Sequence, residues 1–397
     1  MNAIAHDPMA DLAAMLAEGS GAAPSAAFDA RIDVAGEDAS LAAFVRHQAL
    51  MRGYQARYVL LPEAAPAGGV LGPLARHYDA GRLARLAELR PRLETELIGP
   101  LAMAREGEGE GDIGAYVEAM LGEIRRGPAN PLIAFLAAAD HRDDHYRNFL
   151  VQNSPDLLAE ASASALGVIG EYGEPQSALF RILIDEFGYG AHGKKHAVLY
   201  RATMRSFGLD DAYNGYWPWF DTAALELHNV IHWLFQNPGN VFRQVGFLLH
   251  AETAYQRSTL AHHRYLREFH ADADARYFGE HAHIDLHHTR MVIDEAVTPL
   301  VARFGAEAGA EIIAGAEMTR RAFARAGDHL LAVSQAFAAA ASARFGVEGA
   351  PRHALGRPVT PRSPLTSEPV QVGVLGVLRD GRDFAAFPPA AIGRVLP

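Results

Sequence analysis

Residues 281–288 read HAHIDLHH, and three of these side chains are of types that bind metal ions. His281, Asp285 and His288 stand at positions i, i+4 and i+7, which fall within an arc of roughly 60° on an α-helix. A helix in this stretch would therefore present two imidazoles and a carboxylate on one face. His283 and His287 lie in the same stretch, so a chance alignment of histidines is the alternative to a metal site.

Three glutamates elsewhere lie on the apolar faces of predicted helices. Glu252 belongs to a mostly apolar stripe that runs from 241 to 259 in steps of three and four residues. Glu186 follows the run FRILID, with His196 ten residues further on, and Glu160 lies within DLLAEASASAL. A buried carboxylate is costly unless it is paired, protonated or bound to a metal ion.

Carboxylates and imidazoles that point into a helix bundle suit iron or manganese. Two metal ions that share bridging carboxylates would bring together about three or four carboxylates and about three histidines. The sequence offers this composition in a set of candidate ligands from several helices: Glu160, Glu186, His196, Glu252, His281, Asp285 and His288.

Other metal motifs fit less well. The stretch HNVIH at 228–232 lacks the Glu of a zincin motif. We expect its two histidines to lie at the surface, or to contact the metal ligands without binding the metal themselves. Ferritin-like di-iron bundles carry two Glu-x-x-His motifs, whereas only Glu280 and His283 form one here. Because the chain has no cysteine, disulfides, thiolate metal sites and a thiol nucleophile are excluded.

The composition of the chain limits which classes of partner are expected. The 397 residues include 36 Lys and Arg against 47 Asp and Glu, a net charge of −11, which disfavours nucleic acid as a partner. No run of 18 uncharged apolar residues predicts a membrane span, and the N-terminus lacks the basic region of a secretory signal. We therefore expect a cytoplasmic protein without a membrane partner.

The spacing of apolar residues predicts helices along most of the chain, and hence an all-α fold. We expect a partly helical N-terminal extension over 1–112 and a helical bundle over 113–346. A C-terminal tail over 347–397 contains a short extended run at 370–378.

Some local features of these helices follow from proline, glycine and capping residues. Pro91 predicts an interruption of one N-terminal helix, and glycines between 188 and 193 predict a bend in another. Ser154 as a cap and Pro155 in the first helical position predict a helix start. Asn240 is a plausible cap for the helix that carries Glu252.

The order and spacing of the candidate ligands resemble those of the haem-oxygenase-like di-iron oxidases and oxygenases. The pattern is Glu-x9-His, a Glu on a later helix, and His-x3-Asp-x2-His, carried here by Glu186, His196, Glu252, His281, Asp285 and His288. The resemblance covers roughly 130–345 and implies a seven-helix haem-oxygenase-like bundle that holds two irons instead of haem. It implies one iron on Glu186, His196 and Asp285, and the other on His281 and His288 with a share of the carboxylates.

Within this family, the resemblance is closest to the nitrogen-oxygenating branch, whose members carry one extra carboxylate before the first Glu ligand. Glu160, 26 residues ahead of Glu186, stands where that residue would be. The alternative is that Glu160 is a first-turn glutamate favoured by the helix dipole.

The resemblance implies an O2-dependent non-haem di-iron oxygenase of specialised metabolism. It would oxidise an amine or guanidine nitrogen of a small molecule to a hydroxylamine, nitroso or nitro product. The implied cofactors are two Fe (Fe2+/Fe3+), with O2 as co-substrate and an external electron donor, and a homodimer is left open. All seven candidate ligands would serve both metal binding and catalysis.

Two other functions stay open at this point. One is a di-iron oxidase that desaturates an amino or fatty acid or cleaves its C–C bonds, and the other is a non-catalytic iron-binding helical protein. Haem oxygenase itself needs one axial His, which would leave the buried acids unexplained. Thiaminase-like relatives use a Cys nucleophile, which this chain lacks.

Overall fold

The computed structural model describes residues 39–61, 69–103, 112–127, 130–140, 142–214, 216 and 220–345. Within these ranges every regular element is a helix, which confirms the predicted all-α class. The extended run predicted at 370–378 and the whole tail lie outside the described residues. The domain boundaries at 112 and 346 stay predictions.

The helices are numbered here in chain order. The first part of the chain contains α1 Ala39–Gln55, α2 Leu71–His77, α3 Ala80–Leu93, α4 Gly99–Met103, α5 Ile113–Arg126, α6 Pro131–Ala138 and α7 Arg142–Leu157. The second part contains α8 Ser162–Gly167, α9 Glu174–Glu186, α10 His196–Ser206, α11 Thr222–Gln236, α12 Val241–Phe269, α13 Arg276–Met291 and α14 Thr298–Phe345. Short π-helical segments, Glu94–Ile98 and Val292–Val297, precede α4 and α14. Among the described residues, no helix combines the length and the apolar character that a membrane crossing would need.

The long helix α12 makes its most extensive contacts with α13 and α14. Two glycines allow α12 and α14 to approach closely. A Cβ added at Gly246 would lie 2.0 Å from the Ile312 carbonyl oxygen, and one added at Gly315 would lie 2.1 Å from that of Arg243. Because neither contact leaves room for a side chain, the two backbones touch directly at this crossing.

The N-terminal helix α1 packs against α11 of the bundle through buried polar side chains. Asn229 donates a hydrogen bond to the His47 carbonyl oxygen at 2.9 Å, and Gln55 donates to the Tyr213 hydroxyl at 3.0 Å. The hydroxyl of Tyr58 lies 3.3 Å from His232 Nδ1. Helix α1 and Tyr58, which belong to the predicted extension, are therefore in contact with the bundle.

The predicted helix start at 153–155 is wrong, because α7 continues through these residues to Leu157. Proline normally leaves the carbonyl four residues earlier without its helical hydrogen bond. Here that carbonyl belongs to Val151, and it accepts a hydrogen bond from the Ser154 hydroxyl at 2.7 Å. The serine thus supplies the donor that Pro155 lacks, and the helix tolerates the proline.

The chain turns between α7 and α8, and Glu160 lies in this turn. Ala161 follows with φ of 63°, in the left-handed region that costs a non-glycine residue roughly 1–2 kcal/mol. Glu160 therefore precedes the N-cap of α8, and the interpretation as a first-turn glutamate is wrong.

Two smaller predictions also need correction. Pro91 lies inside α3, which continues to Leu93 before the π-helical segment begins at Glu94. Asn240 precedes α12 but makes no side-chain cap, because its amide donates to the Trp233 carbonyl at 2.9 Å.

Candidate metal centre

Glu186 and His196 come together because the chain reverses between α9 and α10. The expected bend is a complete break, formed by 3-10 turns at Gly188–Gly190 and His192–Lys194. Gly188 has φ of 70°, and a Cβ there would lie 2.4 Å from the Lys195 nitrogen. This tight turn brings His196 Nδ1 to 2.6 Å from Glu186 Oε2.

The ligand face of α13 is buried as the spacing predicts. His281, Asp285 and His288 are 5%, 0% and 0% exposed. The intervening histidines His283 and His287 are exposed. The alignment of the three buried side chains is therefore not a by-product of a histidine-rich surface.

The structure brings all seven predicted ligands into two adjoining groups. Within each group, one ligand atom per residue lies within 4.8 Å of every other. The first group contains Glu160, Glu186, His196 and His281, and the second contains Glu252, Asp285 and His288.

The distances within the groups are those of a site ready to accept cations. In the first group, His281 Nε2 lies 3.2 Å from Glu160 Oε1 and 3.8 Å from Glu186 Oε2. In the second group, His288 Nδ1 lies 3.1 Å from Glu252 Oε2 and 3.8 Å from Asp285 Oδ1.

This grouping differs from the assignment that the resemblance implied. His281 and His288 do not share a group, and Asp285 lies with His288 and not with Glu186 and His196. The physical reason is the rise of the α-helix, which separates positions i and i+7 by about 10 Å along the axis. One ion cannot readily reach both histidines of α13, so each histidine serves a different group.

Glu186 faces both groups at once. Its Oε2 lies 2.6 Å from His196 Nδ1 in the first group, and its Oε1 lies 3.7 Å from His288 Nδ1 in the second. The two oxygens of this one carboxylate are thus directed towards two separate sets of ligand atoms.

Two residues that the sequence reasoning missed orient the histidines. His281 Nδ1 lies 3.0 Å from the Tyr277 carbonyl oxygen, and His288 Nε2 lies 3.1 Å from Asp185 Oδ2. With these N–H groups donated, His281 Nε2 and His288 Nδ1, which face the carboxylates, are the nitrogens that would bind a metal ion after losing their protons. Tyr277 also donates its hydroxyl to Glu160 Oε1 at 2.7 Å.

A signal for Tyr277 exists in the sequence, because it lies four residues before His281 and so shares its helix face. Asp185 offers no such signal, since it neighbours Glu186 in the chain and adjacent helical residues point in different directions. Its carboxylate reaches His288 from the last turn of α9.

The electrostatics of the groups favour positive charge. Burial alone would lower the pKa of His288, but the hydrogen bond and charge of Glu252 outweigh it and raise the pKa to about 10. Burial would raise the pKa of Glu186, but His196 above all holds it at about 2. Burial raises the pKa of Asp285 well above its usual range.

Unsatisfied acceptors show that the residues fit a metal ion. Among the described residues, neither oxygen of the fully buried Asp285 has a hydrogen-bond partner, and neither does Glu160 Oε2. A buried carboxylate without donors is strongly unfavourable, whereas a bound cation would satisfy it. Oxygen and imidazole nitrogen donors in this proportion are suited to iron.

The alternative motifs take no part in these groups. His228 and His232 are buried, so the expected surface position is wrong. Their hydrogen-bond partners in the described part of the chain are the Gln152 carbonyl oxygen, 3.0 Å from His228 Nε2, and the Tyr58 hydroxyl, 3.3 Å from His232 Nδ1, and neither partner is a predicted ligand. Glu280 and His283 are exposed on the opposite side of α13.

Two cavities adjoin the ligand groups. A pocket of about 80 Å³ is lined by Glu160, Glu186, Glu252 and His281 together with apolar side chains. A larger cavity of about 510 Å³ is lined by residues of α5, α6, α7, α11, α12, α13 and α14. Leu157, Ala251 and Tyr255 line both spaces, and Tyr277 lines the larger one.

Known proteins are similar in sequence to the part of the chain that contains the ligand groups. Residues 147–324 match the sequence profile of a family described as iron-containing redox enzymes. Over 273 residues the chain is 35% identical to nitrosourea synthase of Streptomyces achromogenes subsp. streptozoticus. That alignment covers 67% of this chain and 57% of the synthase, so the chain spans less than two thirds of this relative. The resemblance drawn from ligand spacing is thus confirmed, and the chain belongs to the haem-oxygenase-like family of iron-containing redox enzymes.

Proposed function

We propose that the protein is an O2-dependent non-haem di-iron oxygenase that oxidises an amine or guanidine nitrogen of a small molecule. The observation that carries the proposal is the position of Glu186 between two groups of ligand atoms. Similarity to a nitrosourea synthase supports nitrogen as the reacting atom.

The two groups would hold one iron each. Glu160, His196 and His281 would bind the first iron, and Glu252, Asp285 and His288 the second, with Glu186 between them. When bound, two ferrous ions supply the electrons that activate O2. Glu160 supports the nitrogen-oxygenating reaction over desaturation, because it adds the carboxylate that marks that branch in the resemblance.

The protein's own contribution is orientation and exclusion of water. The Tyr277 carbonyl and Asp185 fix the ring orientations of His281 and His288, and the Tyr277 hydroxyl fixes Glu160. The pocket beside the ligands has mainly apolar walls, which keep bulk water from the reacting nitrogen.

The larger cavity suits the body of the substrate. Its volume of about 510 Å³ falls within the range of roughly 300–1,000 Å³ typical of small-molecule sites. Because Tyr255 and Ala251 line both spaces, a molecule in this cavity would lie next to the ligand groups.

The stoichiometry of the reaction requires an external donor of electrons. Conversion of R–NH2 and O2 to R–NHOH and water consumes two electrons and two protons for each turnover. Further rounds at the same nitrogen would give the nitroso or nitro level.

The test is anaerobic loading with Fe(II), a count of the iron by Mössbauer spectroscopy, and exposure to 18O-labelled O2 with amines and guanidines. We expect two irons in each chain and a label bound to nitrogen in the product. Label in a hydroxylated carbon chain, or an alkene product without label, would refute N-oxygenation. Iron oxidation with no organic product from any candidate would support the iron-binding alternative.

A further inference from the structure

Asp156 is a carboxylate on the wall of the small pocket that belongs to neither ligand group. It lies in the last turn of α7, four residues before Glu160, and is half-buried. The same pocket is lined by Glu160, Glu186, Glu252 and His281. The side chain thus shares one space with the predicted iron ligands.

The charge balance of the pocket leaves Asp156 in excess. The ligand carboxylates Glu160, Glu186, Glu252 and Asp285 carry −4 together, which two ferrous ions would neutralise. Asp185, the other carboxylate close to the groups, lies within hydrogen-bond distance of His288 Nε2. Asp156 has no such compensation, because among the described residues neither a hydrogen-bond donor nor a positive charge acts on its carboxylate.

The surroundings make this uncompensated charge costly. The rest of the pocket wall is largely apolar, with Leu157, Leu179, Ile182, Leu183, Phe235 and Leu248 among its side chains. Burial, followed by the charges of Glu160 and Glu186, raises the pKa of Asp156 to about 7. A carboxylate in this position is stabilised by a positive charge brought into the pocket.

We propose that Asp156 binds the cationic nitrogen group of the organic substrate, a guanidinium or an ammonium, and holds it beside the ligand groups. A planar guanidinium matches a carboxylate with two parallel hydrogen bonds, which would fix the orientation of the group as well as its position. The inference rests on the proposed function for its ligand class. It adds a specificity-determining residue outside the metal ligands.

The small size of the pocket agrees with this role. The pocket of about 80 Å³ is much smaller than the cavity of about 510 Å³, which suits a compact head group in the first and the rest of the molecule in the second. The remainder of such a ligand would extend past Ala251 and Tyr255, which also line the larger cavity.

The test compares a cation with its neutral isostere. Binding of n-butylguanidinium and of n-butylurea to the iron-loaded protein is measured by calorimetry without O2, so that no turnover is needed. We expect the wild-type protein to prefer the guanidinium. Asp156→Asn should weaken guanidinium binding at least tenfold, leave urea binding unchanged and keep the full iron content.

Control variants separate charge recognition from a general loss of structure. Asp143→Asn removes a charge from the same helix at an exposed position, and should leave both ligands and iron unaffected. Asp156→Glu retains the charge and should restore part of the guanidinium preference. A second neutral variant, Asp156→Ala, guards against an Asn side chain that still binds the probe.

Three results would overturn the inference. They are equal binding of both probes to the wild-type protein, unchanged guanidinium binding in both neutral variants, and loss of iron in Asp156→Asn, which would make Asp156 a ligand. Failure of the proposed function looks different: guanidinium binding would depend on Asp156, yet no nitrogen would be oxidised under O2.

Discussion

Replacement of Tyr277 by Phe removes one hydroxyl and tests how the site holds Glu160. The hydroxyl donates to Glu160 Oε1 at 2.7 Å, and this oxygen also lies 3.2 Å from His281 Nε2. When His281 turns its lone pair to a metal ion it no longer donates to Glu160. Tyr277 is then the donor that keeps this carboxylate in place.

The expected change in iron affinity follows from the loss of the hydrogen bond between Tyr277 and Glu160. A hydrogen bond to a charged group contributes about 1.5–3 kcal/mol, and each 1.4 kcal/mol corresponds to about a tenfold change in affinity. Partners that orient metal ligands typically change affinity by about 10–100-fold. We therefore expect Tyr277→Phe to lower the affinity of the first iron by about tenfold to hundredfold, and to leave the second iron almost unchanged.

Tyr200→Phe is the matched control. The Tyr200 ring lies 4.9 Å from that of Tyr277, and its hydroxyl donates to the Leu150 carbonyl oxygen at 2.7 Å. Both variants lose a buried hydroxyl and should lose about 1 kcal/mol of unfolding free energy. Only Tyr277→Phe should weaken iron binding.

The assay is an anaerobic Fe(II) titration against a competing chelator, with Mössbauer spectra to distinguish the two irons and thermal melts of the metal-free variants. Wild-type iron affinity in Tyr277→Phe would refute the role assigned to the hydroxyl. An equal loss of affinity in Tyr200→Phe would show that the effect is one of packing.

Three further predictions concern the turn, the shared carboxylate and the buried histidines. Gly188→Ala should separate Glu186 from His196, because the added Cβ meets the Lys195 nitrogen; a lower melting temperature and loss of the first iron would show it. Glu186→Gln should reduce the occupancy of both irons in elemental analysis, whereas Glu280→Gln, which alters an exposed acid of α13, should reduce neither. The free energy of unfolding should decrease as the pH falls from about 6.5 to about 4, because histidines that burial holds neutral take up protons only when the protein unfolds. Each such histidine lowers this free energy by up to about 1.4 kcal/mol per pH unit. Burial lowers the pKa to about 4 in His47, His228 and His250, and to about 3 in His232 and His262. A free energy of unfolding that stays flat over this range in urea titrations would contradict the buried neutral state.

The helical periodicity was sufficient to predict the ligand face of α13. His281, Asp285 and His288 are buried there while His283 and His287 are exposed, because a helix under tertiary packing buries one face only. The distribution of these ligands between two groups was not predictable from their common face. It depends on the axial rise of the helix and on which neighbouring helix lies opposite each turn.

The region around Glu160 shows the limit of local rules. Proline after a potential cap normally begins a helix, but the Ser154 hydroxyl satisfies the carbonyl that Pro155 leaves open. The position of Glu160 in a turn depends on Ala161 in a left-handed conformation, which alanine rarely adopts. Such an exception is stabilised by tertiary contacts, which no short stretch of sequence contains.

The crossing of α12 and α14 at Gly246 and Gly315 has a consequence for Glu252. Glu252 follows Gly246 by six residues on the same helix, about 9 Å along its axis. Direct contact between two backbones leaves no layer of side chains that could rearrange to absorb a shift. A displacement of α14 at this crossing would therefore move α12 as a rigid body. The position of Glu252, and with it that of the second ligand group, thus depends on a backbone contact in which no ligand takes part.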